Sequence, residues 1–110
     1  MDKREIIERY YQCFREQDQD GLRSILTTHF HHVSSFAEYI DRDKMLEAIW
    51  PMVGQSWATN LQIFGEGSEF MVRYQIESRV RSPMSMAEYV RFEGNLITEI
   101  EVYVGRQLDA

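Results

Sequence analysis

The stretch that decides the fold is Met84-Ser85-Met86-Ala87-Glu88-Tyr89-Val90-Arg91-Phe92-Glu93. Its residues alternate in polarity, as those of a β-strand do when one face of the sheet is buried. The even-numbered positions are apolar except for Glu88, which lies in the middle of that face. Burying a carboxyl group costs free energy unless the group is paired, protonated or next to a cavity. The pattern therefore predicts a pocket with Glu88 in its wall.

Length and composition indicate a single domain over residues 1–110. The chain has 110 residues and 44% hydrophobic content, which is enough for one packed core. Its net charge of −6 disfavours a nucleic-acid partner, because surfaces that bind nucleic acid are usually basic. No apolar run is long enough for a membrane span or a signal peptide. A single cysteine, Cys13, cannot form an internal disulfide, which fits a reducing compartment. From these two features we expect a cytoplasmic protein with no membrane partner.

Helical periodicity dominates the first half of the chain. Apolar residues recur at helical spacing over residues 3–17, and Asp2 with Glu5 resembles a capping box at the start of this helix. A short second helix follows. Asp41 is a suitable N-cap for a third helix, which is expected to kink or end next to Pro51.

Strand patterns occupy the rest of the chain. The predicted strands are residues 27–36, 58–64, 69–80, 84–93 and 96–104. Short turns separate the last four, which predicts an antiparallel meander. Helices followed by one curved sheet describe an α+β fold with the helices packed on one face.

Three short motifs carry a resemblance to a known family. They are Arg9-Tyr10, then Asp18 with Leu22, Ile25 and Leu26, and finally Val90-Arg91-Phe92 with the turn Gly94-Asn95. In order and spacing the chain resembles the nuclear transport factor 2-like superfamily, in particular its SnoaL-like and ketosteroid-isomerase branch. The resemblance implies a cone, in which a strongly curved antiparallel sheet wraps around N-terminal helices (a cystatin-like α+β barrel) and encloses an apolar cavity. It also implies a homodimer formed through the sheet.

The same resemblance implies catalytic roles. Tyr10 falls where ketosteroid isomerases place a helix tyrosine of the oxyanion hole, and Glu88 falls where they place a protonated strand acid. Their carboxylate base is replaced here by Ser34 or Ser35, and a hydroxyl is a poor base at neutral pH. Tyr11 is the neighbouring alternative to Tyr10, but Tyr10 is in phase with the buried face of the helix and is therefore expected to point inward.

His32 is the candidate replacement for the missing base, since an imidazole titrates near neutral pH. It shares a strand face with Phe30 and could form a dyad with Glu88. The alternative is a partly buried histidine that bonds to water or backbone. His29 and His31 lie on the opposite strand face, so we expect no metal site, and no cofactor motif is present.

Soft and aromatic side chains are expected to line the pocket for a small apolar molecule. The predicted ligand-binding residues are Phe14, Ser34, Phe36, Met45, Ile49, Phe70, Tyr74, Met86 and Val102. Ordinary core packing is the alternative explanation of the same residues.

Two main functions remain open. The first is an isomerase, cyclase or hydratase acting on a carbonyl-bearing apolar substrate with Tyr10, His32 and Glu88. The second is a non-catalytic ligand-sensing or dimeric interaction module of the same fold, and a third is an accessory subunit of a larger enzyme. The surface expected to form the dimer is the polar sheet face of Arg73, Gln75, Arg79, Tyr89 and Tyr103.

Overall fold

Three α-helices and a six-stranded sheet make up the computed structural model, which describes residues 1–108. The helices are α1 (Lys3–Glu16), α2 (Gln19–Ile25) and α3 (Arg42–Ile49), and a 3-10 turn (Trp50–Met52) follows α3. The strands are β1 (Leu26–Val33), β2 (Glu38–Tyr39), β3 (Ser56–Glu66), β4 (Glu69–Ser78), β5 (Met84–Glu93) and β6 (Leu96–Gln107). None of the helices within these 108 residues is both long and apolar enough to cross a membrane.

The predicted helix ends are confirmed by their hydrogen bonds. The Asp2 carboxylate accepts from the Glu5 backbone N–H at 2.9 Å, and the Glu5 carboxylate accepts from the Asp2 backbone N–H at 3.0 Å. Asp41 caps α3 in the same way, by accepting from the Lys44 N–H at 2.9 Å. Pro51 lies in the 3-10 turn that follows α3. The helix ends here because proline has no backbone N–H to continue the helical hydrogen bonds.

The sheet has the strand order β2-β1-β6-β5-β4-β3 and is not closed, so β2 and β3 are its edges. The meander from β3 to β6 is antiparallel, as predicted. One pairing differs from the expected antiparallel sheet, because β1 pairs with β6 in parallel. No hairpin joins these two strands, and the intervening α3 and meander supply the long crossover that parallel pairing needs.

The first strand is shorter than predicted and ends at Val33 instead of residue 36. The Ser34 side chain accepts hydrogen bonds from the backbone N–H groups of Phe36 and Ala37, which turns the chain away from the sheet. Phe36 is consequently 88% exposed at the end of a turn.

The core lies between the helices and the inner face of the sheet. Its fully buried side chains include Ile7, Leu22, Phe30, Leu46, Ile97 and Ile100. The helices thus close one side of the curved sheet, and the remaining concave surface is free to form a site.

Candidate functional site

A cavity of about 350 Å³ lies between α1, the turn after α3 and the inner face of the sheet. Its wall is largely apolar, and the polar groups are contributed by a few side chains that include Tyr11, His32 and Glu88. The volume is at the lower end of the range that small-molecule sites occupy, about 300–1,000 Å³. Glu88 is among the residues that line this space.

Most of the predicted site residues line this cavity. They are Tyr10, Phe14, His32, Ser34, Phe36, Ile49, Tyr74, Met86, Glu88 and Val102. Met45 and Phe70 do not line it, and placing them there was wrong. Met45 is fully buried in the core, and Phe70 packs edge-on against Phe92 with ring centroids 5.8 Å apart. Both side chains are buried as predicted, but Phe70 lies near the start of α1, where it lines a different pocket with Lys3 and Arg4.

Glu88 is 6% exposed and is held by two tyrosine hydroxyls. Tyr11 donates to Oε1 at 2.5 Å, and Tyr74 donates to Oε2 at 2.7 Å. Burial raises the pKa of the Glu88 carboxyl, because it disfavours the charged form, while the two hydrogen bonds oppose this shift without cancelling it. Tyr11, Tyr74 and Glu88 together form a tyrosine–glutamate cluster at the cavity wall.

Tyr10 and Tyr11 both line the cavity, although only Tyr10 was expected to point inward. The sheet curves around α1 and covers the arc of about 100° that separates successive helix residues. Tyr11, which sequence reasoning passed over, is the one bonded to Glu88, and its ring packs 5.2 Å from that of Tyr74. The Tyr10 hydroxyl has no hydrogen-bond partner in the described part of the chain, and its ring packs edge-on against Phe14. Burial, followed by the charge of Glu88, raises the pKa of both tyrosines.

His32 lines the cavity as a neutral imidazole. Burial, followed by the neighbouring His31, lowers its pKa to about 4. Its Nδ1 atom is buried without a hydrogen-bond partner within residues 1–108, and Glu88 is bonded to the two tyrosines instead. The proposed His32–Glu88 dyad is therefore not formed as a hydrogen-bonded pair.

The other two histidines face away from the cavity and pair with carboxylates. His29 Nε2 lies 2.7 Å from Glu93, and His31 Nε2 lies 2.6 Å from Glu38. In the part of the chain that the structure describes, no three His, Cys, Asp or Glu side chains converge as metal ligands would.

Comparisons with known proteins identify the fold through structure and not through sequence. No protein-family model matches the sequence, and no curated protein matches it significantly. A solved NTF2-like protein of unknown function from Cytophaga hutchinsonii superposes with a TM-score of 0.84 at 13% identity, over 94% of this chain and 90% of its own. The chain has the nuclear transport factor 2-like fold.

Two further solved structures with a similar fold are named for an activity. A Kribbella flavida protein provisionally assigned as a ketosteroid isomerase superposes with a TM-score of 0.84 at 9% identity, over 98% of this chain and 81% of its own. An LEH-like epoxide hydrolase of M. tuberculosis superposes with a TM-score of 0.77 at 12% identity, over 91% of this chain and 80% of its own. Identity this low establishes the fold alone, and function must be argued from the site.

Ser34 or Ser35 occupies the place where the resemblance implies a carboxylate base, and Ser34 lines the cavity. Its hydroxyl oxygen accepts from the N–H groups of Phe36 and Ala37 at 3.2 and 3.3 Å and is occupied in that turn. Ser35 is exposed. His32, which lines the cavity, is the only one of these three candidate bases whose side chain has a ring nitrogen.

Proposed function

We propose that the cavity binds a small apolar carbonyl compound and promotes proton transfer at the carbon next to the carbonyl, as an isomerase or cyclase does. The observation that carries this proposal is the Glu88 carboxyl, which is held by Tyr11 and Tyr74 in an otherwise apolar wall. Perturbed acids in apolar clefts are typical of sites that handle protons.

The tyrosine–glutamate cluster offers different partners in its two protonation states. With Glu88 ionised, both tyrosine hydroxyls point to its carboxylate. With Glu88 protonated, three O–H groups share two internal hydrogen bonds, which leaves one O–H to donate to a ligand. The raised pKa of Glu88 increases the share of the second state relative to an exposed glutamate, and the Tyr10 hydroxyl adds another donor to the same cavity.

Two such donors suit a carbonyl oxygen that gains negative charge. In the proposed step, a proton leaves the neighbouring carbon for the His32 imidazole, and the C–H electron pair forms an enolate. Its oxygen accepts hydrogen bonds from Tyr10 and the cluster. Preorganised donors of this kind stabilise developing oxyanions by about 3 kcal/mol each.

Calorimetric titration with 2-tetralone, a small bicyclic ketone, tests the binding step. Tyr10→Phe is expected to weaken binding by about fivefold, since one neutral hydrogen bond contributes about 1 kcal/mol. The matched control is Tyr89→Phe, whose hydroxyl bonds to Glu69 on an exposed part of the sheet and should leave affinity unchanged. Failure of the wild type to bind, or equal binding by Tyr10→Phe, would overturn the proposal.

A second candidate function is ligand binding without turnover. It is favoured by the His32 pKa of about 4, which makes this imidazole a weak base. NMR of 2-tetralone in D₂O separates the two candidates. Accelerated exchange of its C1 protons, lost in His32→Gln while binding persists, supports the enzyme; binding without accelerated exchange supports the sensor.

We also propose that two copies associate through the outer face of the sheet. The side chains of Arg73, Ala87 and Tyr103 lie side by side across β4, β5 and β6, and Tyr103 is 47% exposed. Arg73→Glu is expected to shift the sedimentation profile from dimer toward monomer. Glu47→Lys, an exposed charge reversal on α3, is the control, and a monomeric wild type would overturn this proposal.

A further inference from the structure

A second cavity, of about 200 Å³, lies at the β3 edge of the sheet. The residues that line it are Arg15, Gln17, Gly54, Ser56, Trp57 and Arg79. Gly54 and Ser56 line the larger cavity as well. The two cavities are therefore adjacent and share the chain segment before and at the start of β3 as part of their walls.

Two arginines meet on one indole ring in this second cavity. The Arg15 guanidinium carbon lies 5.4 Å from the Trp57 ring centroid, and that of Arg79 lies 5.8 Å from it. The Arg79 backbone N–H donates to the Gln55 carbonyl at 3.0 Å. This bond holds the backbone of Arg79 next to residues 54–56, which lie between the two cavities. Stacking of this kind holds a guanidinium in place and leaves its N–H edge free to donate.

Neither arginine has a carboxylate partner, as far as residues 1–108 show. Other arginines of the chain do, such as Arg9 with Asp18 at 3.0 Å and Arg91 with Glu99 at 2.9 Å. Glu77 lies opposite Trp57 on β4 yet forms no ion pair with either arginine. Two neighbouring arginines that form no ion pair within residues 1–108, in a chain of net charge −6, mark a place suited to an external anion.

We infer that Arg15 and Arg79 bind an acidic group on the ligand of the larger cavity. This inference rests on the function proposed above and narrows its substrate class. The ligand is an apolar carbonyl compound that carries a carboxylate or another oxyanion at the end remote from the carbonyl. The oxyanion accepts N–H hydrogen bonds from the two guanidiniums, while the apolar body lies in the main cavity.

Two fluorescent probes that differ only in a carboxylate test this inference. They are 2-naphthol and 6-hydroxy-2-naphthoate, titrated against wild type, Arg15→Gln and Arg79→Gln. The carboxylate probe is expected to bind wild type about tenfold more tightly, and each substitution should weaken it by about threefold, as partly exposed ion pairs do. Raising the salt concentration should reduce the difference between the probes. The affinity for 2-naphthol should stay constant in both variants.

Lys44→Gln is the matched control, because Lys44 is also an exposed cation but lies on α3 and lines neither of the two cavities. Equal affinity for the two probes in wild type, or the same loss in Lys44→Gln as in Arg79→Gln, overturns the anion site while leaving the main cavity intact. Failure of wild type to bind 2-naphthol overturns the cavity proposal itself. The two failures are thus distinguishable in one set of titrations.

Discussion

The Tyr74 hydroxyl donates a hydrogen bond of 2.7 Å to Glu88 from the neighbouring strand. Because Tyr11 donates to the other carboxyl oxygen from α1, one acid joins a helix and two strands at the cavity wall. Tyr74 is 5% exposed and Glu88 is 6% exposed, so water cannot readily replace either partner. The bond therefore matters for stability as well as for ligand binding.

Tyr74→Phe should destabilise the protein, because it leaves one oxygen of buried Glu88 without a donor. An unsatisfied buried group of this kind costs about 1–3 kcal/mol. Urea denaturation measures the loss directly. In Tyr89→Phe, where the lost bond to Glu69 is exposed, the change should stay within about 0.5 kcal/mol. Equal losses in the two variants would show that the cluster adds nothing to stability.

Glu88→Gln should flatten the pH dependence of stability. Since the folded pKa of Glu88 is raised above its ordinary value of 4.5, the folded protein keeps a proton that the unfolded chain has lost. The free energy of unfolding therefore falls as the pH rises above 4.5, until the folded pKa is passed. Denaturation between pH 4.5 and 8 should show a smaller fall in Glu88→Gln than in wild type. Exposed Glu47→Gln is the control, and parallel curves for Glu88→Gln and wild type would contradict the raised pKa.

His32 should act in the opposite direction over an overlapping range. Its pKa is lowered from 6.5 to about 4 in the folded protein, so its stabilising contribution is complete above pH 6.5 and is lost as the pH falls toward 4. A shift of this size corresponds to at most about 3 kcal/mol. His32→Gln should remove this acid-side loss. The NMR signals of the His32 ring should titrate near pH 4, and a midpoint near 6.5 would contradict its burial.

Val102→Phe should fill the cavity without unfolding the protein. Val102 is partly buried and lines the hollow, so a larger side chain there has empty space to enter, and cavity filling commonly leaves stability unchanged or raises it. Binding of 2-tetralone should be abolished while the thermal midpoint is maintained. Retained binding with unchanged affinity would place the ligand elsewhere on the molecule.

The strand that carries the site is predictable from sequence because alternation is a local property. Residues 84–93 form β5 with Glu88 facing inward, as the pattern indicated. The capping residues Asp2 and Asp41 are equally local and were also predicted.

The partners of Glu88 depend on long-range geometry that no local pattern contains. Val72 is the residue opposite Glu88 in the β4–β5 pairing, so contact with Tyr74 requires the register as well as the inward face. Contact with Tyr11 depends on how far the sheet curves around α1. The sequence held one indication that Tyr74 could contact Glu88. Tyr74 was predicted to face inward on the strand that precedes the one carrying Glu88. Whether buried residues such as Met45 and Phe70 reach the cavity depends on the same curvature.

The carbonyl stretch of bound ¹³C-labelled 2-tetralone tests the central claim most directly, because its infrared frequency falls when the oxygen accepts hydrogen bonds. In wild type we expect a frequency well below that of the ketone in hexane. It should move back toward the hexane value in Tyr10→Phe and in Glu88→Gln. A bound ketone with the hexane frequency in wild type would contradict the proposal that Tyr10 and the Glu88 cluster hold the carbonyl oxygen.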